Sequence, residues 1–227
     1  MHSQSKGFTL IELLIVIAIV AIMATIALPN MSQWIASRRA AGQAEQVANL
    51  LRFARAEAVR LNAIVYVCPV QIKKDGNPDQ YCDMKYTGQG LAAFADNNKN
   101  GIYERNEDTD LRTVILNSPQ NTKVSYQVDN YAFSGERTGN NHMWGFLPNG
   151  TFGHKAQAAD KLNHSTGYVK ISLTDASASS EADKRARSTI VVIDSAGRAT
   201  VCSGNSDGSQ NSKDIMKNLC RYSSDNT

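Results

Sequence analysis

The sequence predicts an α+β fold in which one long N-terminal helix packs on a mainly antiparallel β-sheet. Three observations point to it. An unbroken apolar run opens the chain, a helical apolar stripe follows, and after Asn62 the hydrophobic period shortens to that of strands.

The apolar run extends from Phe8 to Leu28 and contains a single charge, Glu12. At 1.5 Å per residue, about 21 helical residues reach roughly 30 Å, the depth of a bilayer's hydrocarbon core. Lys6 lies on the short N-terminal side, which suits a cytoplasmic start and export of the remainder. Arg38 and Arg39 oppose that orientation mildly. A cleavable secretory signal would have a shorter apolar core and a small-x-small site, for which Thr25-Ile26-Ala27 is a weak candidate. A plain membrane anchor fits the length but leaves Glu12 unexplained, because a charge inside an apolar span costs about 2.5–3.5 kcal/mol or more.

Between Asn30 and Leu61 there is no proline and one glycine, Gly42. Val47, Leu50, Leu51, Ala54, Ala58 and Leu61 form one stripe, with Arg52, Arg55, Glu57 and Arg60 largely off it. A helix from Phe8 to about Leu61 would measure roughly 80 Å. Pro29 should kink or interrupt it, since its ring removes a backbone donor and clashes with the preceding turn. The chain then divides into residues 1–7, an apolar helix 8–28, an amphipathic half 29–61 and a β-rich globular domain 62–227.

The strand candidates begin with Ile64 to Cys68, where Pro69 marks an edge or an end. Gly90 to Ala95, Leu111 to Leu116, Val124 to Val128, His142 to Leu147, Gly167 to Leu173 and Ser188 to Ile193 follow. Asp194-Ser195-Ala196-Gly197 then turns the chain into Arg198 to Cys202, a hairpin with glycine in its turn. Ala176 to Ala186 is an exposed loop or a short surface helix.

The composition is that of a folded protein, with 42% hydrophobic and 20% charged residues, and a net charge of +3 that argues for no nucleic-acid partner by itself. The four cysteines, Cys68, Cys82, Cys202 and Cys220, have no metal-site spacing. They fit two disulfides in an oxidising compartment. Of the three pairings open to them, Cys68–Cys82 and Cys202–Cys220 close the shortest loops.

Lys6-Gly7-Phe8-Thr9-Leu10-Ile11-Glu12, running straight into the apolar stretch, resembles the class III signal of type IV pilins and pseudopilins. The resemblance implies that a prepilin peptidase cuts between Gly7 and Phe8. It also implies that Phe8 becomes a methylated N-terminus and that Glu12 meets the N-terminal amine of a neighbouring subunit. Pro29 stands where pilins often carry a helix-kinking proline. Leu50 to Leu61, the Ala95-to-Arg112 loop, Phe146-Leu147-Pro148-Asn149-Gly150 and Gly197-Arg198 resemble the H-type branch, the GspH/FimT group of minor pilins and pseudopilins. That likeness implies a pilin fold and a life in the inner membrane with the globular domain in the periplasm. The expected partners are the lipid bilayer, other minor and major pilins, the peptidase and an assembly platform. A minor pilin that primes or caps a type IV pilus is the leading reading, and a minor pseudopilin of a type II secretion system shares the same N-terminal physics.

Two further motifs carry site candidates. Asp96 to Glu107 matches the calcium-loop pattern D-x-[DN]-x-[DN]-G-x5-E, with Asp96, Asn98, Asn100, the Ile102 carbonyl and Glu107 as candidate calcium ligands. An Asn/Asp/Gly turn between strands has the same composition and needs no cofactor. Some H-type minor pilins bind DNA through a Gly-Arg-x-Arg turn. Here Gly197-Arg198-Ala199-Thr200 lacks the second arginine; Lys213, Lys217 and Arg221 would rebuild a basic face nearby, and Lys184, Arg185 and Arg187 form another cluster. The four histidines show no H-E-x-x-H spacing and there is no G-x-S-x-G elbow, so an assembly subunit is expected rather than an enzyme.

Overall fold

The computed structural model of the protein describes residues 8–206 and 215–223. The chain divides into two compact units, Met1–Ala36 and Ser37–Thr227. Helix α1 (Leu10–Leu61) begins in the first and ends in the second. Pro29 lies within it and does not interrupt it. One missing backbone donor removes a single rung of the i to i−4 ladder, and the turns on either side keep the helical path.

In the second unit α1 is followed by β1 (Ile64–Ile72), β2 (Pro78–Tyr81), β3 (Gly90–Asp96), β4 (Thr109–Ile115), β5 (Val124–Ala132), β6 (Arg137–Gly139), β7 (Met143–Phe146), β8 (Phe152–Lys155), β9 (Asn163–His164) and β10 (Gly167–Asp175). A short helix α2 (Glu181–Ala186), strands β11 (Ser188–Asp194) and β12 (Ala199–Ser203), and helix α3 (Ile215–Leu219) complete it. The strands form two sheets rather than the one expected. The first runs β4-β3-β1-β7-β8-β9 with β2 attached to β1, and the second runs β12-β11-β10-β5-β6. The pairings are antiparallel in both.

The main core lies where the amphipathic half of α1 meets both sheets. Val47, Leu50, Leu51, Ala54 and Ala58 are buried there with Val65 and Val67 of β1, Trp144 and Phe146 of β7, Ile171 of β10 and Val191 of β11. The stripe ends one turn earlier than its period suggests. Leu61 is 37% exposed, because the helix stops there and Asn62, at φ 51°, turns the chain into β1.

Strand alternation supplies a second layer. Tyr66 and Cys68 point away from the main core to join Phe94 and Met143. On the other sheet Ile190 and Val192 point outward and are covered by Leu219 and Tyr222 from the C-terminal segment. Both sheets are therefore apolar on both faces, which explains near-continuous runs such as Thr189 to Ile193. Pro69 lies inside β1, not at its end. One edge of β1 passes there from β7, paired at 65–67, to β2, paired at 70–72, and no ladder on that edge needs the missing N–H.

Cys68 is bonded to Cys82 and Cys202 to Cys220, with Cα separations of 4.9 and 5.6 Å. The second disulfide clips α3 and Tyr222 onto the outer face of the second sheet. Opening it through Cys202→Ser with Cys220→Ser should destabilise the fold by about 3 kcal/mol. Denaturant unfolding of the oxidised protein against the double variant measures that loss, and equal midpoints would show that the clip carries no stability.

Candidate functional site

At the start of α1 the Thr9 side chain acts as the helix cap. Its hydroxyl oxygen accepts a hydrogen bond from the Glu12 backbone N–H at 3.3 Å, and its carbonyl accepts one from Leu13 at 3.2 Å. Thr9-x-x-Glu12 is the spacing of a capping box. Glu12 thus lies in the first helical turn, where a carboxylate favourably meets the positive end of the helix macrodipole.

Around this acid the helix is apolar on every side and uncovered. The large apolar side chains from Phe8 to Met23 range from 51% exposed at Ile19 to 87% at Phe8. A helix of this kind is stable in water only when lipid or another protein surface covers it. Among the described residues, no helix is long and apolar enough to cross a membrane. Gly7, on the expected cleavage bond, lies outside the described residues, as do the other leader residues 1–6.

The Asp96–Glu107 loop is cross-linked to itself. Asp96 accepts from the backbone N–H groups of Asn100 at 3.2 Å and Gly101 at 3.0 Å. The Asn98 amide donates to Glu104 at 2.6 Å and to Glu107 at 2.7 Å, and the Asn100 amide donates to Glu104 at 2.8 Å. The Asn98 and Asn100 side-chain oxygens accept from the backbone N–H groups of Asn100 and Ile102. In this arrangement the Asn98 amide lies between the Glu104 and Glu107 carboxylates, and the loop's polar groups are bonded to one another. Among the described residues, no three His, Cys, Asp or Glu side chains are grouped to hold a metal.

A side-chain cation reaches the loop. The buried Lys155 ammonium donates to the carbonyls of Gly101 and Ala158 at 2.6 Å each and sits 4.4 Å from the centre of the Tyr66 ring. Burial pushes the Lys155 pKa down, and Asp96 nearby opposes that shift. Burial likewise holds the Asp96 carboxyl above its ordinary value and, with the Asp96 charge, pushes Tyr66 up to about 12. Sequence reasoning missed Lys155, whose strand carries no sign that its amine is consumed 54 residues away.

The basic candidates are dispersed in role. Arg198 pairs with Asp194 at 2.7 Å in the β11–β12 turn. Lys217 lies on α3, the Arg221 carbonyl accepts from Lys170 at 2.7 Å, and Lys213 lies outside the described residues. The structure instead brings Arg198 into one cleft with Arg52 and Arg55 of α1. Sequence reasoning placed those two arginines only as polar residues beside the apolar stripe; their i, i+3 spacing was the available signal.

Residues 43–197 match the family model described as type II transport protein GspH, and residues 2–28 match the prokaryotic N-terminal methylation motif. Two type IV major fimbrial proteins FimA from Dichelobacter nodosus are each 34% identical, one over 91 residues and one over 95, covering 40% and 42% of this chain. The chain spans about half the length of these curated relatives, 49% and 51%. Crystal structures of the Pseudomonas aeruginosa type IV minor pilin FimU align at 15% and 16% identity with TM-scores of 0.40 and 0.39. They cover 72% and 70% of this chain and 88% and 90% of theirs. The methylation motif at the capped apolar helix and a GspH match over well over half of the sequence place the chain in the GspH family of type IV pilin-like proteins.

Proposed function

We propose that the protein is a minor pilin, an assembly subunit that helps to initiate or cap a type IV pilus. The carrying observation is a helix apolar on all sides with one acid in its first turn, beneath a match to the methylation motif. Membership of the pilin-like family implies other pilins or pseudopilins as partners. The precursor sits in the inner membrane through Phe8–Leu28, with its disulfide-bonded domain in the periplasm. A prepilin peptidase releases residues 1–7 and leaves a methylated Phe8. The helix then leaves lipid for the packed interior of a filament, and an assembly platform drives the transfer. Apolar area stays covered in both settings, so the exchange exposes little of it to water.

Glu12 sets the register. In a low-dielectric interior its carboxylate is satisfied by the ammonium of a neighbouring Phe8, and a slipped packing leaves both charges unpaired. A second reading, a minor pseudopilin of a type II secretion system, is favoured by the description of the matched family. A deletion strain separates the two, since one loses pili and the other loses secreted proteins.

The intact mass of the membrane-derived protein tests the processing step. The expected species lacks Met1 to Gly7 and carries one added methyl group. A full-length chain, or one cut after Ala27, would refute the assignment.

A further inference from the structure

The end of α1 and two hairpin turns border an open cleft of about 640 Å³, lined by Arg52, Arg55, Ala56, Val59, Asn149 and Arg198. Its three walls come from stretches far apart in sequence: the helix itself, the β7–β8 turn at Asn149-Gly150, and the β11–β12 turn at Gly197-Arg198. Arginines hold the walls together. Arg55 Nε donates to the Gly150 carbonyl at 3.0 Å, and Arg52 Nη2 donates to the Ala199 carbonyl at 3.1 Å. Gly150 and Gly197 adopt φ of +78° and +74°, and a side chain at Gly150 would meet the Arg55 guanidinium.

Charge in the cleft is incompletely balanced. Arg198 is paired with Asp194 at 2.7 Å, and Arg52 has Glu45 only at 3.8 Å. Among the described residues Arg55 forms no ion pair, and beyond its bond to Gly150 its guanidinium retains donors. Three guanidiniums therefore face two carboxylates. The cleft also offers apolar surface, for Ala56 is exposed and Val59 is 56% exposed.

The geometry points to a docking site for an acidic segment of a neighbouring subunit, one carboxylate side chain meeting Arg55 with an aliphatic neighbour on Val59. The choice of a pilin-like neighbour rests on the assembly reading; the recognition chemistry does not. Guanidinium forks match carboxylates bidentately. A nucleic-acid backbone would ask for a row of free cations along a track, whereas this cleft is short and two of its three arginines already face acids.

The test uses the full chain in nonionic detergent and a fluorescent peptide of alternating glutamate and leucine, followed by anisotropy at low salt. The acidic peptide should bind at least about tenfold more tightly than its glutamine–leucine counterpart. Arg55→Gln should weaken it about tenfold, and Lys74→Gln, at a separate turn, should change nothing. Arg55 also tethers Gly150, so Arg198→Gln serves as a second variant and should weaken binding with the melting temperature preserved. Equal binding of the two peptides, or binding unmoved by both arginine substitutions, overturns the inference and leaves the processing and Glu12 tests untouched. Tighter binding of duplex DNA that is lost in the same variants would also overturn it and reassign the cleft to nucleic acid.

Discussion

Glu12→Ala is expected to leave membrane insertion intact and to reduce incorporation into assembled filaments by at least about a hundredfold. The substitution makes the apolar run more apolar, so the bilayer accepts it at least as well. In the proposed inter-subunit pairing it would leave the neighbour's ammonium buried without a counter-charge, and breaking such a pair costs about 3–5 kcal/mol. Glu12→Gln keeps the shape and removes the charge, so it should follow alanine, whereas a purely helix-capping role would spare it in part. The Thr9 hydroxyl bonds the backbone of residue 12 and survives either change. Quantitative immunoblotting of sheared filaments and of the membrane fraction provides both readouts. Wild-type filament content in Glu12→Ala would remove the register role.

Trp144→Ala should lower the stability of the globular unit by about 3–5 kcal/mol. Trp144 is fully buried in β7, within the cluster shared by α1 and both sheets, and its indole N–H donates to the Asn141 carbonyl at 3.1 Å. Alanine opens a cavity bordered by three layers that cannot collapse together. For a unit of this size such a loss lowers the melting temperature by roughly 10 °C. Trp144→Phe keeps most of the volume and gives up the hydrogen bond, so about 1–2 kcal/mol should be lost. Thermal unfolding followed by near-UV circular dichroism measures both, and a shift of a degree or two for alanine would show that the layers repack freely around the gap.

Different parts of the molecule were legible to different degrees in the sequence. Glu12 stood out because an acid within an apolar run has no local reason to be there, and Val47 to Ala58 because a stripe at helical period is a local property. The core strands were readable from β-branched runs such as Ile64 to Val67. Other elements were hidden because their stabilisation is not local. β8 reads as Phe-Gly-His-Lys, with glycine and lysine both poor strand residues, and is held by pairing with β7 and by Lys155 reaching Gly101. The division into two sheets is a choice of partners, and no strand's own pattern encodes which neighbour it takes. Lys170 looks like a solvent-facing residue of β10 but is buried, with its ammonium on the Arg221 carbonyl. The arginine cleft was invisible for the same reason: its tethers join residues 95 and 147 positions apart.

Two walls of that cleft are hairpin tips, and the strands beneath them carry core residues such as Phe146, Phe152 and Ile193. The arrangement separates positions that tolerate exchange from positions that do not. The exposed Ala196 can be replaced without touching that core, whereas Asn149 holds its own turn, its side-chain oxygen accepting from Thr151. Exchange at an exposed rim position should therefore alter the chemistry of the cleft while the scaffold that displays it folds unchanged.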